Sequence, residues 1–252
     1  MSGPAAFREL LTRRDFAVRF ERVAHAVELR RVHFLEALVT GRPGTTLERS
    51  EVLLGCVRRK GAEVEFDRAS VCAALASARL LEGEPRIALN VHAVTLAADF
   101  EFPRFLADSA QENGIAPERL VLELADDVSG RRKSELLESI ARLRAIGVRI
   151  ALDDVGSGLS NYKMMLDCRP HYFKIGAYFV RGAGRDSYRL ALLRSLVELG
   201  VRLGAQVVAT GVDSSADLDA VHGVGVALVQ GTVCRGAALL PKAEAPALAV
   251  VA

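Results

Sequence analysis

Tryptophan is absent from this chain of 252 residues and aromatics make up only 6% of it, so its core must be built mostly from Ala, Leu and Val. No apolar run reaches the ~18 residues of a membrane-spanning helix. The N-terminus "MSGPAAFRELLTRRDF" also lacks the apolar stretch of a signal peptide. Neither membrane insertion nor secretion is expected. The four cysteines, Cys56, Cys72, Cys168 and Cys234, are widely spaced and form no C-x-x-C pair. They supply neither a disulfide framework nor a zinc site, and a reduced, cytoplasmic setting is expected. An excess of one charge is missing too. A formal net charge of +2 with acids and bases interspersed gives no footing for nucleic acid. No G-x-G-x-x-G follows the early strands, which weighs against a dinucleotide-binding fold.

What is present is a repeat of short apolar runs and longer helical ones. Strands are expected at "RIALN" ending at Asn90, "RLVLEL" at Leu124, "RIALDD" at Asp154, "HYFKIG" at Gly176, "QVVATG" at Gly211 and "GVALVQG" at Gly231. Between them, residues 131–147 place Leu136, Leu137, Ile140 and Leu143 on one helical face and stop at Gly147. Residues 187–200 and 214–225 read the same way, the latter opened by capping serines. Strands alternating with helices imply a parallel sheet covered on its faces. A closed TIM-like (β/α)8 barrel is the leading α/β topology, with a doubly wound open sheet as runner-up. Earlier in the chain, residues 15–27 and 32–41 look like two strands and 68–83 like a helix. One domain over 1–240 is expected, followed by an Ala/Pro-rich tail over 241–252.

In such a barrel the C-terminal strand ends converge on one mouth. Glu36, Asn90, Glu123, Asp153, Asp154, Lys174, Thr210 and Gln230 stand there. Carboxylates gathered on one rim are costly unless cations neutralise them. Oxygen ligands suit Mg²⁺ or Mn²⁺, and an adjacent Asp pair can bridge two ions. Two such ions ~4 Å apart, with a lysine, suit phosphodiester hydrolysis. For any single acid, a helix-capping or turn role is an equal reading; the set at successive strand ends carries the argument.

The segments "FLEALV", "LNVHAVTL", "LVLELADD", "IALDDVGSGLSN", "FKIGAYFV", "VVATGVD" and "VQGTV" together resemble, in order, the signature of EAL domains. That family hydrolyses the bacterial second messenger cyclic dimeric GMP (c-di-GMP) to pGpG on a TIM-like barrel with one antiparallel strand near its start. The resemblance implies metal ligation by Glu36, Asn90, Glu123, Asp153 and Asp154, with Mg²⁺ or Mn²⁺ as the cofactor. It implies a water-holding role for Lys174, completion of the site by Gln230, and ligand contact by Glu36, Leu38, Asp154 and Asp213. Asp126 stands where the family has a glutamate that steadies the loop after the Asp pair. In that loop Val155 and Leu159 replace the usual Phe and Tyr.

Departures from the pattern are equally informative. Thr210 replaces a glutamate that serves the second metal, and a neutral hydroxyl cannot supply its charge. Losing one anionic ligand from a hard-cation site costs on the order of several kcal/mol. Gly176 removes another acid. Thr40, followed by Gly41, stands where the family carries a phosphate-gripping arginine. Glu21 or Arg22 replaces the glutamine of the first strand; the former would repel a phosphate and the latter attract one. The resemblance thus implies a degenerate, non-catalytic member in c-di-GMP signalling, with Lys174 vestigial. It would be either a c-di-GMP receptor or a protein-interaction regulator with a protein partner. The alternative is a weak metal-dependent phosphodiesterase.

His25, His33, His92, His171 and His222 show no ligand spacing and read as partly exposed structural residues. The Arg pairs at 13–14, 30–31, 58–59 and 131–132 read as solvated faces. Around Cys168 and Tyr172 the resemblance implies homodimer contacts, while the same apolar residues read equally well as core.

Overall fold

Alternation of apolar strands and amphipathic helices closes into a barrel in the computed structural model, which describes residues 7, 10–12, 16–124, 132–156 and 160–235. Asp126, Leu159 and the 241–252 tail lie outside the described residues. The strands run β1 (Phe16–His25), β2 (Glu28–Gly41), β3 (Ile87–Val91), β4 (Leu120–Leu124), β5 (Arg149–Val155), β6 (Tyr172–Ile175), β7 (Gln206–Ala209) and β8 (Leu228–Gln230). They hydrogen-bond in sequence order into a closed ring, which rules out the open sheet. β1 is antiparallel to both β2 and β8, and every other neighbouring pair is parallel.

Helices α1 (Ser50–Lys60) and α2 (Glu63–Ala78) join β2 to β3. α1 was not among the expected elements, although its signals are ordinary: Glu51 in the first turn, Arg58, Arg59 and Lys60 in the last, and Gly61 left-handed at φ 59° behind it. α2 begins five residues before the expected 68, with Glu63 and Glu65 in its first turn, and the chain turns at Gly83, φ 74°. Further on come α3 (Ala93–Ala98), α4 (Phe102–Glu112), α5 (Lys133–Ala145), α6 (Ser160–Cys168), α7 (Ala177–Val180), α8 (Ser187–Arg202) and α9 (Ser215–Gly223). Asp186 caps α8 and Ser214 caps α9 through their side chains.

Each strand sends one buried residue into the barrel interior: Val23, Phe34, Ala88, Val121, Ala151, Tyr172, Val208 and Leu228 form one cluster. A larger apolar shell lies between sheet and helices. Because strand side chains alternate with a period of two, this interior layer dictates what lies above it. Cys168 and Tyr172 are both buried and belong to the core, while Tyr162 and Leu166 on α6, between β5 and β6, are exposed. Among the described residues no helix is long and apolar enough to cross a membrane.

Candidate functional site

Two residues further along each parallel strand, and two residues back along antiparallel β1, the interior layer turns polar. It contains Glu21, Glu36, Asn90, Glu123, Asp153, Lys174, Thr210 (just past β7) and Gln230. The ambiguity on the first strand is thereby resolved: Glu21 is the register partner of Glu36 on the interior face, whereas Arg22 pairs with Leu35.

Lys174 is the hub. Its Nζ donates to Glu36 Oε2 at 2.8 Å and to Glu123 Oε2 at 2.5 Å, and lies 3.7 Å from Asp153 Oδ1. Glu36 also accepts from Asn90 Nδ2 at 2.9 Å and from Gln230 Nε2 at 2.7 Å. Gln230 Nε2 reaches Glu21 Oε2 as well, at 3.3 Å. Burial disfavours the ammonium, but Glu123, Glu36 and Asp153 together outweigh it and hold the Lys174 pKa well above its ordinary value. Burial likewise opposes the Glu36 carboxylate, yet the Lys174 charge and three side-chain hydrogen bonds keep its pKa below the usual range. Glu123 goes the other way: burial and the Glu36 charge push it well up, and Lys174 offsets this only in part. Burial raises Asp153 too.

Among the described residues, two buried acceptors here, Glu123 Oε1 and Gln230 Oε1, have no hydrogen-bond partner. Three carboxylates against one ammonium leave the floor with negative charge in excess. Both features fit one hard divalent cation among Glu36, Asn90, Glu123 and Asp153, although no group of three His, Cys, Asp or Glu is already arranged as a metal cage among the described residues.

The remaining expected ligands sit differently. Thr210 Oγ1 donates to the Ile175 carbonyl at 3.0 Å, so its hydroxyl hydrogen is committed to the backbone of β6. Asp154 is exposed, adopts φ 50°, and turns its carboxylate into the space over Gly176. Asp213 is held by Arg181, whose Nε and Nη2 both donate to Oδ2 at 3.1 and 2.8 Å, and by the Thr232 amide at 3.1 Å. Gly231, at φ 150°, closes against Val212: a Cβ there would lie 2.3 Å from the Val212 carbonyl oxygen, so only glycine keeps Gln230 in place.

A mouth cavity of ≈ 350 Å³ lies over this floor, bordered by Glu21, Leu38, Lys174, Thr210, Asp213 and Arg235 among others. A second, more apolar cavity of ≈ 250 Å³ shares Glu36, Leu38 and Asp153 with it and extends under α1 and α2. Behind the second stands a network with no counterpart in the sequence reading. Asp67 is fully buried and accepts from the His92 amide at 2.9 Å, from Thr95 Oγ1 at 2.5 Å, and pairs with His92 Nδ1 at 2.8 Å. His92 is therefore a buried residue, contrary to the expectation of partial exposure. An acid on the inner face of an otherwise apolar helix was the available signal.

The pattern that defines the EAL domain family matches residues 5–235 of the chain. The chain is similar to the blue light- and temperature-regulated antirepressor BluF of Escherichia coli K12, at 26% identity over 212 residues, covering 83% of this chain and 51% of BluF. It spans about half of that relative's length, and 19% of that of a Caulobacter vibrioides signaling protein it matches at 31% identity over 63% of this chain. Among solved structures, the PaMucR phosphodiesterase in complex with c-di-GMP superposes with TM-score 0.79 at 23% identity, over 92% of this chain and 95% of that one. The Xanthomonas citri FimX EAL domain in complex with c-di-GMP gives 0.78 at 16%, over 90% of each chain. At these identities the structural likenesses speak for the fold.

Proposed function

Because the chain belongs to the EAL domain family, we propose that it acts in cyclic dinucleotide signalling by binding c-di-GMP at the barrel mouth without hydrolysing it, and that it passes the bound state to a protein partner. The carrying observation is Thr210. A neutral hydroxyl already spent on the Ile175 carbonyl cannot be the anionic ligand of a second cation. Asp154, directed over Gly176, does not make up for it on the floor. That the relative BluF is an antirepressor supports an output through protein contact.

The floor residues fit one Mg²⁺ or Mn²⁺ between Glu36, Asn90, Glu123 and Asp153; bound there, the ion would neutralise the excess carboxylate charge and polarise phosphate oxygens. The chain's own groups do the rest. Lys174 holds the carboxylates in register, Gln230 and Asn90 orient Glu36, and the rim arginines draw in an anion. A second reading, a slow phosphodiesterase working with one cation, is favoured by the unpartnered Glu123 Oε1.

Calorimetric titration with c-di-GMP in Ca²⁺, paired with chromatography of reaction products in Mn²⁺, separates the readings. Binding with no pGpG from the native protein, and pGpG from Thr210→Glu, is the expected result. Native turnover would establish the second reading, and absence of binding at millimolar ligand would leave protein interaction alone.

A further inference from the structure

The end of the barrel opposite the mouth carries a cluster of its own. Two residues back along the parallel strands from the interior apolar layer stand Arg86, just before β3, and Arg149, which opens β5. Two residues forward along antiparallel β1 stands His25. A bulge brings in another group. Val23 pairs with Phe34 and Ala24 with Val32, so His33 is the extra residue of β2. A bulge re-aims the side chain it carries, and the His33 ring meets Tyr172 edge-on, with 5.6 Å between centroids.

These groups are linked. Arg149 Nη1 donates to the Tyr172 hydroxyl at 3.2 Å, that oxygen lies 3.1 Å from His33 Nε2, and His33 Nδ1 lies 3.4 Å from His25 Nε2. A guanidinium only donates, so the Tyr172 proton is directed to His33 and the His33 proton to His25. The chain ends at His25 Nδ1, a donor with no partner among the described residues. Arg31, exposed on β2, completes the set: with His25, Arg86 and Arg149 it lowers the His33 pKa. Acid is what the cluster lacks. Among the described residues Arg31, Arg86 and Arg149 form no ion pair, and Glu28, the register partner of His25, is exposed at the hairpin end. Arg119, nearby, is already engaged: Nε and Nη2 donate to the Pro85 carbonyl at 3.2 and 3.0 Å, and Nη1 faces Glu84 at 3.9 Å. A single carboxylate would leave two of the three free guanidinium charges unmet. A phosphate group brings about −1.5 to −2 at pH 7 and three acceptor oxygens, and so meets most of them.

We propose that this end of the barrel is a second binding site that takes a phosphate group, free or carried by a small-molecule monoester, with Arg31, Arg86 and Arg149 meeting its charge and His25 donating to one oxygen. The site is independent of what the mouth binds. The test is calorimetric titration of the full chain, without divalent cation and at constant ionic strength, with inorganic phosphate and with adenosine 5′-monophosphate. The ring resonances of His25 and His33 are followed by NMR over the same titrations. One saturable site is expected, with both histidines shifting along its isotherm. Arg149→Gln, which keeps a donor for Tyr172, should weaken binding about 10- to 100-fold. The exposed Arg31→Gln should weaken it as well and disturbs folding least; thermal melts confirm both folds. Tighter binding of the monophosphate would make a phosphorylated metabolite the source, tighter binding of inorganic phosphate the free ion, and either supports the site. No heat from either probe at millimolar concentration would overturn the proposal. Binding that leaves both histidine resonances in place, or native affinity in either folded variant, would overturn it too.

Discussion

Gly176 and Asp154 share one space: a Cβ built on Gly176 would lie 2.0 Å from Asp154 Oδ1. The strand that lacks an acid of its own is covered by the acid of its neighbour. Gly176→Asp would therefore set two carboxylates against each other and should not by itself raise Mn²⁺ affinity. Gly176→Ala is relieved by rotation of the exposed Asp154, so it should cost at most about 1 kcal/mol of stability. The double variant Asp154→Ala/Gly176→Ala should be no less stable than Asp154→Ala alone. Urea unfolding of the three variants checks this, and additive losses would contradict the shared space.

Lys174 is the only positive group that the described floor offers its carboxylates at hydrogen-bond distance. Lys174→Met should cost about 3–5 kcal/mol, because it strands buried charge. Divalent cation should then matter more than in the native protein. Thermal melts with and without Mn²⁺ should show a larger upward shift of Tm in Lys174→Met. Equal shifts would mean that Lys174 and a cation do not share these ligands.

Asp67 satisfies two donors of the segment after β3 and one ring nitrogen of His92. Asp67→Ala should destabilise by about 3–5 kcal/mol, whereas Thr95→Val, which removes a single donor, should cost about 1–2 kcal/mol. Denaturant midpoints discriminate the two, and similar costs would show that the carboxylate is not the centre of the network.

On the opposite side of the barrel, His33 contacts His25 at 3.4 Å and the Tyr172 hydroxyl at 3.1 Å, and that hydroxyl accepts from Arg149. Burial, followed by the positive charges of His25, Arg86, Arg149 and Arg31, lowers its pKa to about 4. An unfolded histidine takes its proton near pH ~6.5. Between those values the unfolded chain binds more protons, so stability must fall as pH drops from about 6.5 toward 4 and level off below. Allowing for partial solvation, about 1–3 kcal/mol is at stake. The Tm gap between native and His33→Gln protein should narrow across that window; parallel curves would contradict the shift.

Much of this was readable in the chain. Apolar runs ending in Asn90, Glu123, Asp153, Lys174 and Gln230 marked both strands and site, because a buried polar residue at the end of a strand is costly and stands out. Glu21 was harder. On an antiparallel strand the interior layer advances backwards, and without the pairing Glu21↔Glu36 neither Glu21 nor Arg22 had precedence. The Asp154–Gly176 relation was illegible for a different reason: it depends on where a side chain leans, which periodicity does not encode. His92 looked exposed because its partner Asp67 lies 25 positions away, on a helix whose start was misplaced.

β1 pairs with β8 over three residue pairs only, Val23↔Gln230 to His25↔Leu228, and the site contacts across that seam join Gln230 to Glu36 and Glu21, 194 and 209 positions apart. Contacts so distant along the chain carry a loop-closure cost that delays them kinetically. The N-terminal hairpin can form as soon as it is made, yet the glutamates it carries meet their glutamine only when the last strand arrives. Recovery of ligand binding during refolding should therefore lag behind recovery of helix signal, so the site itself serves as a clock for the final stitch of the barrel.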